Sequence, residues 1–329
     1  MHHITVQATD GDNNMAQVVV AITVNNIVDS LAEDPNSFVT TWETTMDNEQ
    51  ITIGMNPNYT YDFTVDWGDG NIEQISGFGE IGVSHFYETS GVHTVAIYGD
   101  FPAVLMFLSS TKEKLLSLEQ WGSIEWQSMN SAFYECKNMM YNAKDVPDLS
   151  QVQNMNAMFE NADAVTNPDL SNWDTTSITQ MPNVFALTDA FNGNIENWNT
   201  ENVTAMESMF QSAANFNRDL SVWKTGNVTD MRTMFSNSSF NGDIGGWNIQ
   251  NVTNMLEMFT NSKMSAENYT ATLIGWAEQT PDIQQGVTLS AQNINFCSDD
   301  VDIMDAIDTL TNDHGWIITD AGGVDCPQP

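Results

Sequence analysis

The sequence predicts a multi-domain chain in which an all-β sandwich precedes an α/β solenoid closed by a C-terminal cap. Three observations predict it. Between residues 121 and 262 one phrase recurs every 24 to 26 residues, and a fixed period of that size marks stacked repeats. Between residues 36 and 104, short runs that alternate apolar and polar are separated by turn residues, the pattern of a small β-sandwich. After Phe259 the repeat fades, and two helical stretches alternate with two strand-like ones; a stack needs such a cap to cover its last layer. The expected divisions are 1–32, 36–104, 105–262 with six repeats from about 121, and 263–329.

The chain opens with two expected strands, Ile4 to Ala8 and Val18 to Val24, joined by a hairpin loop over Thr9 to Asn14 and followed by Asn25-Asn26-Ile27-Val28-Asp29. With its Ala-x-Asp and its terminal Val-Asp exit, this stretch resembles the last two strands of a cadherin-like domain. The resemblance implies Ca²⁺ held at a domain junction by Asp10, Asp12 and Asp29, hard oxygen ligands suited to that ion. The plainer reading of the same Asp-Gly and Asn-rich residues is a turn. Two strands are too few to be stable alone. Met1-His2-His3 reads as a join inside a longer chain, so a fragment is expected.

Residues 36–104 carry strand patterns at Phe38 to Trp42, Ile51 to Ile53, Tyr61 to Val65 and Val92 to Tyr98. Two phrases sharpen this: Val65-Asp66-Trp67-Gly68-Asp69-Gly70 and Ser84-His85-Phe86-Tyr87-Glu88-Thr89-Ser90-Gly91-Val92-His93-Thr94-Val95. Together they resemble a PKD domain, although Trp67 directly precedes Gly68 and His93 replaces the family's second tyrosine. The resemblance implies a spacer or protein-contact module. His85 and His93 invite a metal or acid–base role, but two histidines in a β-sandwich are more simply structural. Gly77-Phe78-Gly79-Glu80-Ile81-Gly82 lacks both the spacing and the βαβ setting of a dinucleotide fingerprint and reads as a loop.

Past a break at Pro102, Val104 to Leu108 and Leu115 to Trp121 are expected to cover the open face of the first repeat. Aligned on the closing phenylalanine, the six copies end at Phe133, Phe159, Phe185, Phe210, Phe235 and Phe259. Twelve residues earlier stand Trp121, Pro147, Trp173, Trp198, Trp223 and Trp247. Met231, Met234 and Phe235 sit at i, i+3 and i+4, which predicts a short helix with one apolar face; Thr229 is placed to cap it. One unit therefore reads as strand, turn and short helix, too small to bury its core without neighbours. The Asn-x-Thr triplets at Asn202, Asn227 and Asn251 keep register with the repeat. They read as structural, the asparagine bonding the adjacent coil, more readily than as glycan acceptors. Asn167, Asn192, Asn217 and Asn241 form a second such ladder.

The phrase Leu220-Ser221-Val222-Trp223-Lys224-Thr225-Gly226-Asn227-Val228-Thr229-Asp230-Met231-Arg232-Thr233-Met234-Phe235 resembles the repeat of the BspA-like leucine-rich-repeat group of bacterial surface proteins, over about 140 residues. The resemblance implies a surface-exposed, non-catalytic binding solenoid and names no ligand. The segments after the repeats, ending in Trp316-Ile317-Ile318-Thr319-Asp320, resemble the cap that follows such repeats. Cys297 and Cys326 both lie there and could pair, while Cys136 reads as a buried free thiol. One late disulfide suits an exported protein.

Eight Lys plus Arg against 44 Asp plus Glu leave a net charge of −36. Such a surface repels phosphate backbones and anionic membranes. Cations and basic proteins are its natural counter-partners, and salt relieves its self-repulsion. No apolar run is long enough to span a bilayer. No phosphate loop, Cys/His cluster or nucleophile–base pair can be assembled, so no enzyme is expected.

Ligand contact in a stack of repeats is expected where neighbouring copies differ. Flanking the tryptophans, these positions are Asn172, Asp174, Asn197, Asn199, Val222, Lys224, Gly246 and Asn248. The expected function is that of a monomeric ligand-binding fragment of a bacterial secreted or cell-surface adhesin. Its partner would be a protein or glycan met through the solenoid face. The alternatives are a structural spacer or matrix module without a specific ligand, and an accessory region of a secreted glycan-degrading enzyme.

Overall fold

The computed structural model describes residues 2–9, 15–22 and 30–326. Strands β1 (His2–Thr9) and β2 (Met15–Ile22) form an antiparallel hairpin. Asp10, Asp12 and Asp29 lie outside the described residues.

Six strands follow: β3 (Phe38–Thr44), β4 (Glu49–Gly54), β5 (Thr60–Asp66), β6 (Ile72–Phe78), β7 (Gly82–Tyr87) and β8 (Gly91–Asp100). Four of them match the alternating runs of the sequence. The other two, β6 and β7, flank Gly79, so the stretch expected as a loop is only a tight turn between strands. Strands β4 and β7 pair as one small sheet. The larger sheet continues into the next part of the chain. Strand β9 (Leu115–Gln120) pairs antiparallel with β3, and β10 (Met140–Tyr141) pairs parallel with β9, giving the order β10-β9-β3-β8-β5-β6. Sandwich and first coils therefore share a sheet, and one buried apolar cluster runs from Phe38 to Trp316.

From Trp121 to Ser262 the chain winds in coils whose backbones bond to one another. Met231, Thr233, Phe235 and Asn237 each donate their N–H to the next coil, to Asn254, Leu256, Met258 and Thr260, all at 2.9 Å. The intervening Met234, Ser236 and Ser238 donate back to Met231, Thr233 and Phe235. This overturns the expected helix, and with it the α/β character expected of the repeats. A helix needs every N–H to turn back within its own coil, whereas here every second one is spent on a neighbour. The apolar spacing i, i+3, i+4 is kept by a different device, a left-handed residue at each fourth position. Thr233 and Asn237 have φ of 54° and 58°, and the same two positions are left-handed in all six copies. The expected cap is corrected with it: Thr204, Thr229 and Thr253 donate their hydroxyls to the carbonyls of Thr179, Thr204 and Thr229, one coil back.

Side chains repeat at the same pitch. The six closing phenylalanines stack ring on ring at 5.5 to 6.0 Å. Trp173 stacks on Trp198, and Trp223 on Trp247. The indoles of Trp198, Trp223 and Trp247 donate to the carbonyls of Leu170, Ile195 and Leu220, so each buried N–H is satisfied one coil back. Asn202, Asn227 and Asn251 donate Nδ2 to the carbonyls of Thr176, Glu201 and Gly226. Asn192, Asn217 and Asn241 accept from the N–H of Asn217, Asn241 and Ser265. Both asparagine ladders are thus structural.

Helix α1 (Ala266–Ala277), capped by Ser265, packs on the last coil, and strand β11 (Thr288–Ser290) takes the place of the next one. Met255, Phe259 and Asn261 donate to Thr288, Ser290 and Gln292. Strand β12 (Phe296–Cys297), helix α2 (Ile303–Asp308) and strands β13 (Ile317–Thr319) and β14 (Gly323–Val324) complete the chain. Strand β13 lies parallel to β11 and β14 parallel to β12, and Cys297 is disulfide-bonded to Cys326. Among the described residues, α1 and α2 are the only α-helices. Over the described residues the architecture is β-rich and multi-part, without a closed barrel.

Candidate functional site

Trp173, Trp198, Trp223 and Trp247 are buried, and the positions on either side of each point outward, half-buried at Asn199 and exposed at the others. Threonine side chains bonded to the neighbouring coil's backbone place those after the tryptophan in one file. Thr175, Thr200 and Thr225, themselves buried, donate their hydroxyls to the carbonyls of Asn199, Lys224 and Asn248 at 2.9 to 3.0 Å. Asp174, Asn199, Lys224 and Asn248 therefore succeed one another coil by coil.

Much of that file is turned on the protein itself. Asp174, Asn199 and Asn248 each accept, through Oδ1, the N–H two residues on. The Thr176 hydroxyl and N–H hold the Asp174 carboxyl below its usual range. Lys224 pairs with Glu201 at 2.8 Å, both exposed. Before the tryptophans, Asn172, Asn197 and Val222 reach solvent, Val222 with 70% of its surface.

At its C-terminal end the file enters a groove of about 1120 Å³ between the last coil and α1, where Gly246 and Asn248 face Glu267, Ile274 and Glu278. The helix is held there by Gln279, which donates to the Trp247 carbonyl and accepts from the Ile249 N–H. A glycine pair allows the approach: a Cβ on Gly275 would lie 2.6 Å from the Gly245 carbonyl oxygen. The helix-borne residues of this groove carry no sequence signal, because their role comes from docking across 30 or so residues of chain.

Among the described residues one group has metal-ligand proximity, Glu267 with Cys297 and Cys326. Both sulfurs are committed to the disulfide, which leaves a single carboxylate and no thiolate. Cys136 is buried, and burial pushes its thiol far above the usual range.

The two sandwich histidines belong to an aromatic column. Trp67 stacks on His85, whose edge meets Tyr87, and Tyr87 stacks on His93 at 3.5 Å. His85 Nε2 bonds Asp69 and His93 Nε2 bonds Thr44. Burial opposes ionisation of Asp69, yet the bonds from His85 and Asn71 hold its carboxyl below the usual range. Burial lowers the His93 pKa. Gly68 carries the turn between Trp67 and Asp69, since a Cβ there would lie 2.3 Å from the Thr94 carbonyl.

No helix of the described residues is long and apolar enough to cross a membrane. No curated protein and no solved structure matches this chain. One family model does, over residues 104–168 and 153–272, which together span the coils and the first part of α1. Its match takes in about half of the 329 residues, and the chain belongs to the family described as Mycoplasma protein of unknown function, DUF285.

Proposed function

We propose that this chain is the ligand-binding region of a bacterial secreted or cell-surface protein, acting by adhesion and not by catalysis. In this reading the coils are a leucine-rich-repeat-like solenoid that meets a protein or glycan through the side chains flanking the tryptophans. The PKD-like sandwich and the cadherin-like hairpin serve as stalk, with Ca²⁺ at Asp10, Asp12 and Asp29 stiffening the junction. The observation that carries the reading is the outward file Asp174, Asn199, Lys224 and Asn248, joined coil to coil by buried threonine bonds and backed by stacked tryptophans. Such backing fixes the file's spacing before any partner arrives, which lowers the cost of binding.

The test is binding of the purified chain to arrayed glycans and to a panel of cell-surface proteins, with Ca²⁺ and with chelator. Saturable binding lost on Asn172→Ala, Asn197→Ala and Lys224→Ala together supports the reading. A spacer without specific ligand is the second reading, favoured by the self-directed bonds of Asp174, Asn199 and Asn248. Absence of binding in both conditions would establish it instead.

A further inference from the structure

A different surface has the make-up of a small-ligand site. Where β8 runs out, Tyr98 and Asp100 point away from the core while Ile97 and Phe101 point into it. In the first coil, Ser123, Glu125 and Gln127 point out while Ile124 and Trp126 point in. These two alternating segments face each other across a cleft of about 370 Å³. Glu125 and Gln127 also line a second hollow of about 590 Å³, bounded by Tyr59, Asp148 and Gln151. Both lie within the range of about 300–1,000 Å³ usual for ligand sites, and they share Glu125 and Gln127 as a common wall.

The walls are pinned. Gln127 N–H donates to the Pro102 carbonyl at 2.8 Å, and Ser123 N–H to the Asn36 carbonyl at 3.0 Å. Behind them Phe38, Phe101, Trp121 and Trp126 pack ring against ring. A cleft held this way is formed before binding.

The lining selects the chemistry. No Lys or Arg contributes to either hollow, so nothing there neutralises an anion. Carboxylates, amides and hydroxyls dominate, which disfavours a lipid. Two phenols, Tyr59 and Tyr98, supply flat apolar faces; Tyr98 is 46% exposed. Asp100, Glu125 and Asp148 accept hydrogen bonds, and Gln127 and Gln151 both donate and accept. Rings for C–H faces and paired acceptors for adjacent hydroxyls are what a sugar needs. Two hollows that share a wall fit a chain of sugars better than a single sugar.

We propose that the cleft between the sandwich and the first two coils binds a neutral oligosaccharide, with Tyr98 and Tyr59 under the sugar rings and Glu125 and Gln127 on their hydroxyls. The adhesion reading also admits a glycan, but through the side chains flanking the tryptophans; the site proposed here lies elsewhere. The experiment is calorimetric titration of the whole chain with short neutral oligosaccharides of glucose, mannose, galactose and N-acetylglucosamine, and with a uronate oligosaccharide for comparison. Saturable binding of a neutral sugar is expected, weakened about tenfold or more by Tyr98→Ala and by Gln127→Ala. Tyr98→Phe keeps the ring and should retain binding. Circular dichroism of each variant confirms that the fold is intact. Binding that survives both alanine variants overturns the proposal, as does absence of binding to every neutral sugar or equal binding of the uronate. Loss on Asn197→Ala or Lys224→Ala in place of the cleft variants would uphold the adhesion reading and sink this one.

Discussion

Trp276 on helix α1 donates its indole N–H to the Ile244 carbonyl at 3.1 Å and stacks on Phe259. It does from a helix what Trp198, Trp223 and Trp247 do from the coils. The cap thus closes the stack by imitating the repeat's own tryptophan while changing the backbone that carries it.

Trp276→Ala should therefore cost about 3–5 kcal/mol, the range for emptying a buried aromatic site. Trp276→Phe should cost less but still destabilise, because the Ile244 carbonyl loses its donor. Denaturant unfolding measures both; a change near zero for the alanine variant would show that α1 does not hold the last coil.

Leu187 is left-handed, with φ of 58°, and 45% exposed. The conformation costs an ordinary L-residue about 1–2 kcal/mol, whereas asparagine tolerates it. Leu187→Asn should stabilise the chain by about 1 kcal/mol and Leu187→Val should destabilise it. Thermal unfolding of the two variants should move the midpoint in opposite directions.

Asn227 Nδ2 donates to the Glu201 carbonyl at 2.7 Å. Asn227→Asp sets a carboxylate against that oxygen and should cost about 1–2 kcal/mol at neutral pH. Protonation restores a donor, so the new carboxyl titrates above its unfolded value and the defect shrinks as pH falls through it. A stability difference from the parent that is independent of pH would contradict the ladder role.

Lys114 bonds Glu49 at 2.8 Å, and the N–H of Thr45 adds to it, holding the carboxyl down to about 2. A depressed carboxyl contributes stability above its unfolded pKa and loses it as pH falls through the folded one. The bridge should thus persist below the ordinary carboxyl range and break only near about pH 2. Carboxyl NMR should show Glu49 titrating there, and Lys114→Met should return it toward the usual range.

The Cys297–Cys326 bond closes a loop with a sequence separation of 29, worth about 3–4 kcal/mol by loop entropy. Cys326→Ser should lower stability by that order. Native chain should not react with a thiol reagent, because Cys136 is buried and un-ionised; unfolding without reductant should expose one thiol per chain.

Several features were legible in the residues alone. Identical side chains at intervals of 24 to 26 reappear as rings stacked coil upon coil and as asparagine and threonine bonds spanning that interval. Four sandwich strands and the two helical and two strand stretches of the cap showed themselves by their periods. The backbone of each repeat did not. Met231, Met234 and Phe235 share a face equally well on a helix or on a left-handed-punctuated turn, since spacing reports which side chains go inward and not where each N–H points. Only the neighbouring coil, by accepting every second N–H, decides between them. The same limit holds for both hollows of interest. Position along the chain determined which of Tyr98, Glu125, Asn248 and Glu267 face outward, but which of them face each other depended on β3 joining β9 and on α1 docking against the last coil. Those are contacts between distant segments, made by burial and backbone pairing, and a one-dimensional pattern holds no record of them.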